Sequence, residues 1–106
     1  MKTLQKQRKY KIHEEMVKLN LTMYKIALKH IPKMLDIAFN TFHNYRNMPI
    51  DSEADIPYQM VRKMEIFFGL KEGGLANFEI ECSSLKEIAR EEIKIRKSET
   101  GLHDEI

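Results

Sequence analysis

The densest hydrogen-bonding chemistry in this chain lies in one short run, Ala38-Phe-Asn-Thr-Phe-His-Asn-Tyr-Arg-Asn47. Helical spacing puts Phe42 and Tyr45 on one arc, with Ala38 one turn before Phe42, and Asn40, His43, Asn44 and Asn47 on the opposite arc. That outer arc offers amides and an imidazole, which both donate and accept, where an ordinary solvated helix carries Lys and Glu. Signals for catalysis are thin. His13-Glu14-Glu15-Met16-Val17 has the opening of a zinc-protease helix, but Val17 stands where the second imidazole is needed. Cys82 is flanked by Glu79 and Glu81, whose charges raise a thiol pKa and so oppose a nucleophilic role. Gly69, Gly73 and Gly74 lack the strand-loop-helix context of a phosphate cradle, and His30 and His103 have no partner nearby in sequence. The expectation is a protein with no catalytic residues, no metal and no cofactor.

The elements that must position the amide-rich run can be read from periodicity. Met16, Leu19, Met23, Ile26 and Ala27 recur at spacings of three and four, so roughly Gln5 to Lys29 reads as one or two amphipathic helices. Asn20-Leu21-Thr22 can break that stretch, with Thr22 as a permitted N-cap. Pro32 suits a first turn, predicting a short helix over about Ile31 to Leu35, and Asp36-Ile37 a tight corner. Pro49 stops the amide-rich helix and Met48 to Ile56 is a loop with three acids, Asp51, Glu53 and Asp55. From Pro57 the positions Met60, Val61, Met64, Phe67 and Phe68 keep a helical period up to Gly69, a C-cap, and Leu70. After Gly73-Gly74 the pattern alternates, Phe78-Glu-Ile80-Glu-Cys82, which predicts a short strand. Ser84-x-x-Glu87 is a capping box opening a helix with Leu85, Ile88 and Ala89 on one side, running to about Lys97, with Ser98 to Ile106 frayed.

At 106 residues, 32% charged and 42% hydrophobic, the chain is one core's length, too apolar for a disordered tail. No apolar run approaches the roughly 18 residues of a spanning helix, so no membrane partner is expected. The first residues lack the apolar core of a secretory signal, which predicts a cytoplasmic protein. The lone Cys82 permits no internal disulfide. Net charge is only +2, but residues 1–33 carry nine Lys/Arg against Glu14 and Glu15, a net +7, while 34–75 and 76–106 net −2 and −3. A basic third on a weakly acidic protein suits a one-sided polyanion contact; an ordinary solvated face is the plainer reading of the same lysines.

Leu35-Asp-Ile-Ala-Phe-Asn-Thr-Phe-His-Asn-Tyr-Arg-Asn47 resembles the second half of the helix-turn-helix in phage-repressor (Cro-like, XRE-type) DNA-binding domains. Leu35, Ile37, Thr41, Phe42, Tyr45 and Asn47 fall on matching positions. Ile56-Pro57 to Leu70, closing on Phe-Phe-Gly-Leu, is similar to that family's terminal helix, so the resemblance spans roughly Lys9 to Leu70. Asp36 stands at the family's turn glycine, and Pro32 where it prefers a small residue. Two registers follow for the first helix of the motif. One ends it at Leu35 and keeps the short turn that fixes the interhelical angle; the other takes Leu21-Thr22 to Lys29 and needs extra residues before the next helix.

The resemblance implies a mainly α fold, a lambda-repressor-like helical bundle with a helix-turn-helix over residues 1–75. The strand-helix extension, 76–106, is then appended. It also implies that Phe39, Asn40 and Asn44 meet base edges, Asn being able to pair bidentately with adenine and Phe39 to press on a thymine methyl. Lys33, His43, Arg46 and Asn47 would touch the DNA backbone, Arg46 having a salt bridge to a loop acid as its alternative. Thr41 goes to the helix-helix contact, Phe42 and Tyr45 to the core.

The expected function is therefore a sequence-specific transcriptional regulator of repressor type, binding double-stranded DNA through the helix around residues 38–47. The other reading keeps the scaffold as a protein-protein interaction module or antitoxin-like partner, using Phe39 and the acidic loop. Binding DNA requires Lys33, Arg46 and the basic first helix to share a face; the alternative requires exposed apolar residues there. In the extension, Phe78, Ile80, Leu85, Ile88, Ile93 and Ile95 need cover, either on their own domain or across a two-fold axis. Paired half-sites favour the second arrangement, a homodimer.

Overall fold

The computed structural model describes residues 7–100 as five helices: α1 (Ile12–Val17), α2 (Leu21–Leu35), α3 (Phe39–Arg46), α4 (Tyr58–Phe68) and α5 (Leu85–Thr100). The protein is mainly helical, and no strand forms among the described residues. The expected helix start at Gln5 and the residues of the expected frayed end beyond Thr100 lie outside the described residues. None of the described helices is long and apolar enough to cross a membrane.

The break between α1 and α2 falls at Lys18–Asn20, and the cap is Asn20, whose side-chain oxygen accepts from the Met23 N–H at 2.8 Å, not Thr22. This break resets the helical phase, which corrects the expected inward stripe. Met23 and Ile26 are exposed; the buried face of α2 is Ala27, Ile31, Pro32 and Leu35, with Tyr24 and Leu28 half-buried. Nor is there a separate helix over Ile31–Leu35. α2 continues through Pro32, which has no N–H to give the Leu28 carbonyl. The burial of Ile31, Pro32 and Leu35 opposes the cost of that missing bond.

α2 ends in a left-handed residue, Asp36, at φ 56° and ψ 48°. Its N–H reaches the Lys33 carbonyl at 3.1 Å and the Ile37 N–H reaches the Pro32 carbonyl at 3.0 Å, the paired bonds of a Schellman close. α4 ends the same way at Gly69 (φ 76°), where Gly69 N–H meets Ile66 O at 3.1 Å and Leu70 N–H meets Glu65 O at 2.7 Å. The corner at Asp36-Ile37 and the cap at Gly69 are thus as the sequence predicts.

Ile12 and Met16 of α1, Ala27, Ile31 and Leu35 of α2, Phe42 of α3 and Met64 of α4 share one core with Tyr10, Met48, Ile56 and Leu75 from the connections. The loops are tied in by an extended segment ahead of α1. Lys9 N–H donates to Met48 O at 2.8 Å and Lys11 N–H to Leu75 O at 2.7 Å, while Lys9 O accepts from Asn77 N–H at 2.9 Å. Only isolated bridges result, Arg8 with Pro49 and Tyr10 with Ala76.

The expected strand Phe78–Cys82 is not formed. Alternation makes a strand only where a partner edge exists; the segment's backbone partner runs out after Asn77, and Glu79 to Cys82 are exposed. Phe78 is half-buried, its ring edge-on to Tyr10 with centroids 5.6 Å apart. Beyond it the expected cover is lacking. α5 opens on a reciprocal capping box, Ser84 N–H to Glu87 Oε1 at 2.9 Å and Glu87 N–H to Ser84 Oγ at 3.1 Å, but Ile80, Leu85, Ile88 and Ile95 are all exposed. The radius of gyration is 21.2 Å, against roughly 13 Å for a compact chain of this length, so α5 stands off the body.

Asp36→Val should lower stability by roughly 1–2 kcal/mol, because a branched side chain resists the left-handed conformation. Asp36→Gly should match or exceed the wild type in the same thermal melt, followed by circular dichroism.

Candidate nucleic-acid interface

Around α3 the exposed arc holds Phe39, Asn40, His43, Asn44 and Asn47, and the opposite arc holds buried Phe42 with half-buried Thr41 and Tyr45. Five of the seven predicted contact residues are therefore on one face. Ala38, expected inward, is exposed because it lies in extended backbone (ψ 156°) just ahead of the first turn. Phe39 is 52% exposed and stacks on His43, with ring centroids 6.5 Å apart and planes inclined by 17°. Asn47 Nδ2 donates to the His43 carbonyl at 3.1 Å, which closes the last turn. The Asn40 and Asn44 amides make no side-chain hydrogen bond among the described residues, so both ends of each remain open to an outside partner.

The two basic candidates differ. Lys33 is exposed in the last turn of α2, three residues before the corner that leads to α3. Arg46 is half-buried and turned toward the body: its Nε–H donates to His13 Nδ1 at 3.2 Å, and its guanidinium lies 5.4 Å from the Tyr24 ring centroid. Arg46 thereby links α3 to α1 and α2. No loop acid pairs with it among the described residues. Its Nη groups have no hydrogen-bond partner there, which leaves the four Nη N–H donors of the fork unspent.

The basic third is also redistributed. Arg8 pairs with Glu14 at 3.7 Å, Lys9 with Asp55 at 3.8 Å and Lys18 with Glu15 at 2.9 Å, and Lys2 and Lys6 lie outside the described residues. Within the described part of that basic third, the exposed cations free of ion pairs are Lys25, Lys29 and Lys33, on the outer side of α2. Leu21, Met23 and Ile26 are exposed on the same helix. So the positive stripe belongs to α2, and α1 contributes little. No group of three His, Cys, Asp or Glu side chains is placed to hold a metal among the described residues. No family model, curated protein or solved structure matches the chain.

The His13–Arg46 contact carries a pH consequence that sequence spacing does not show, since the two residues are far apart in the chain. Burial, then the Arg8 and Arg46 guanidinium groups, push His13 below its ordinary 6.5, with Glu14 opposing. Only neutral imidazole can accept at Nδ1. With the folded value below the unfolded one, the stability from this contact is whole above about pH 6.5 and is lost as pH falls through the lower value. Thermal melts between pH 7.5 and 5 should show that loss. His13→Gln, which can still accept from Arg46 but does not titrate, should flatten it.

Proposed function

We propose that this protein is a DNA-binding regulator of repressor type, in which α2, the Asp36 corner and α3 act as a helix-turn-helix and α3 enters the major groove. The observation that carries this reading is the outer arc of α3, where Asn40 and Asn44 present unspent amides beside Phe39. Asn suits adenine N6 and N7, and Phe39 can press on a thymine methyl. Lys33, His43 and Asn47, with the free Nη groups of Arg46, serve as phosphate donors that set the register. The stripe Lys25, Lys29 and Lys33 supplies counterion release.

A second copy completes the site on this reading. α5 leaves Leu85, Ile88 and Ile95 uncovered. A second copy covers that apolar side, so that two α3 helices address paired half-sites. One observation favours a protein-binding module in its place: Leu21, Met23 and Ile26 are exposed beside the lysines of α2.

Mobility shift with duplex DNA of randomised sequence separates the two readings. DNA binding should appear at low salt and weaken steeply as salt rises; no binding at low ionic strength leaves the interaction module. On a selected site, Asn40→Ala and Asn44→Ala should each remove about 1–3 kcal/mol of base discrimination. Lys33→Ala should weaken all sequences alike and reduce the salt slope by about one.

Truncation after Cys82 keeps the Phe78 packing and removes α5. The truncated protein should stay folded, sediment as a monomer and bind DNA more weakly. A full-length chain that is monomeric at high micromolar concentration rules out the dimer.

A further inference from the structure

Away from α3, a half-open cavity of about 480 Å³ is bordered by Tyr10, the loop before α4, α4 itself and the segment 72–80. Three aromatic residues, Tyr10, Tyr58 and Phe78, and three carboxylates, Asp55, Glu65 and Glu72, line it, with Val61 and Ile80 among the aliphatic positions. All three carboxylates are held in place. Tyr10 Oη–H donates to Asp55, which also accepts from the Ile56 N–H at 2.8 Å, and Tyr58 Oη–H donates to Glu72. Glu65 is 2% exposed, and its Oε2 accepts from the N–H groups of Gly73 at 2.9 Å and Leu75 at 3.2 Å.

The phenols keep their protons. Burial and then Asp55 raise the Tyr10 pKa, and the hydrogen bond to Glu72 raises that of Tyr58. Asp55 is held below the usual carboxylate range, burial working against the hydrogen bonds from Tyr10 and Ile56 and the nearby Lys9 charge that together lower it. The cavity thus combines fixed negative charge with aromatic walls.

Two cations sit at its edge. Arg62 Nη1 lies 3.6 Å from Glu65 Oε1. Lys9 Nζ donates to the carbonyls of Ala54 at 2.7 Å and Ser52 at 3.2 Å, lies 3.8 Å from Asp55 and stands 5.8 Å from the Phe78 ring centroid. The chain's own ammonium therefore already uses one corner of this aromatic and acidic wall. Three carboxylates against two cations leave the site net negative.

We propose that this cavity binds a small organic cation, an alkylated ammonium group carried on an apolar body. Ring faces and carboxylates both attract positive charge, and apolar walls favour an alkylated ammonium over a strongly hydrated ion. A bare metal ion fits poorly, because the carboxylates are separately committed to phenol and backbone donors. The volume is within the range of small-molecule sites. This site does not depend on DNA binding.

The test uses the full chain and two probes of one shape, choline and its neutral isostere 3,3-dimethyl-1-butanol, at constant ionic strength kept with sodium chloride. Ring-proton resonances of Tyr10, Tyr58 and Phe78 should move saturably with choline, and the isostere should bind roughly tenfold more weakly. Tyr58→Leu and Glu72→Gln alter exposed side chains, so circular dichroism should be unchanged while each weakens choline several-fold. Equal affinity for the isostere would reduce the cavity to an apolar groove and overturn the proposal. So would ring resonances that fail to respond to choline up to about 100 mM.

Discussion

The turn Asp36-Ile37-Ala38 is the constraint on which the rest of the structure depends. A helix ending in a left-handed residue must leave its axis sharply, and the bonds from Asp36 and Ile37 back to Lys33 and Pro32 hold that exit to one geometry. Phe42, on the inward arc of α3, is then carried into the core formed by Ile12, Met16, Ile31 and Leu35. Because Phe42 is fixed inside, the opposite arc is fixed outside. The exposure of Asn40, His43 and Asn44 is a consequence of the corner and the buried ring together, and no separate interaction is required to present them.

The small body has few helix-to-helix surfaces, so its connections do unusual work. The extended segment Gln7–Lys11 is bonded on one side to Met48 and Ile50 and on the other to Leu75 and Asn77, which draws three distant stretches of chain around the helices. Glu65 adds a second anchor. A buried carboxylate is costly to desolvate, and here it is compensated by two backbone N–H groups and the Arg62 guanidinium. These ties bring Leu75 into the core and bend the chain back so that Phe78 meets Tyr10, and the same bend creates the cavity.

Arg46 illustrates how one residue serves packing and surface together. Its Nε–H and the face of its guanidinium are taken by His13 and Tyr24, while its Nη groups have no partner among the described residues. A guanidinium anchored in this way loses less freedom on meeting an anion than a mobile lysine does, since part of its ordering has already occurred on folding. The lysines of α2 are the opposite case: exposed, unpaired among the described residues, and suited to long-range attraction more than to register.

Much of this was legible in the sequence. The helix over Tyr58–Phe68 with its Gly69 cap, the capping box at Ser84 and Glu87, the corner at Asp36, and the two arcs of α3 all follow from local spacing and from side chains that bond within a turn. What local spacing could not decide was anything that depended on a distant partner. The stripe through Met23 and Ile26 failed because a break of three residues changed the phase of α2. The alternation at Phe78–Cys82 failed because a strand needs an edge from elsewhere in the chain. The continuation of α2 through Pro32, the inward turn of Arg46 to His13, and the burial of Glu65 were decided by the tertiary structure alone. In each, an unfavourable local choice is offset by contacts between residues far apart in sequence, and such contacts leave no periodic trace.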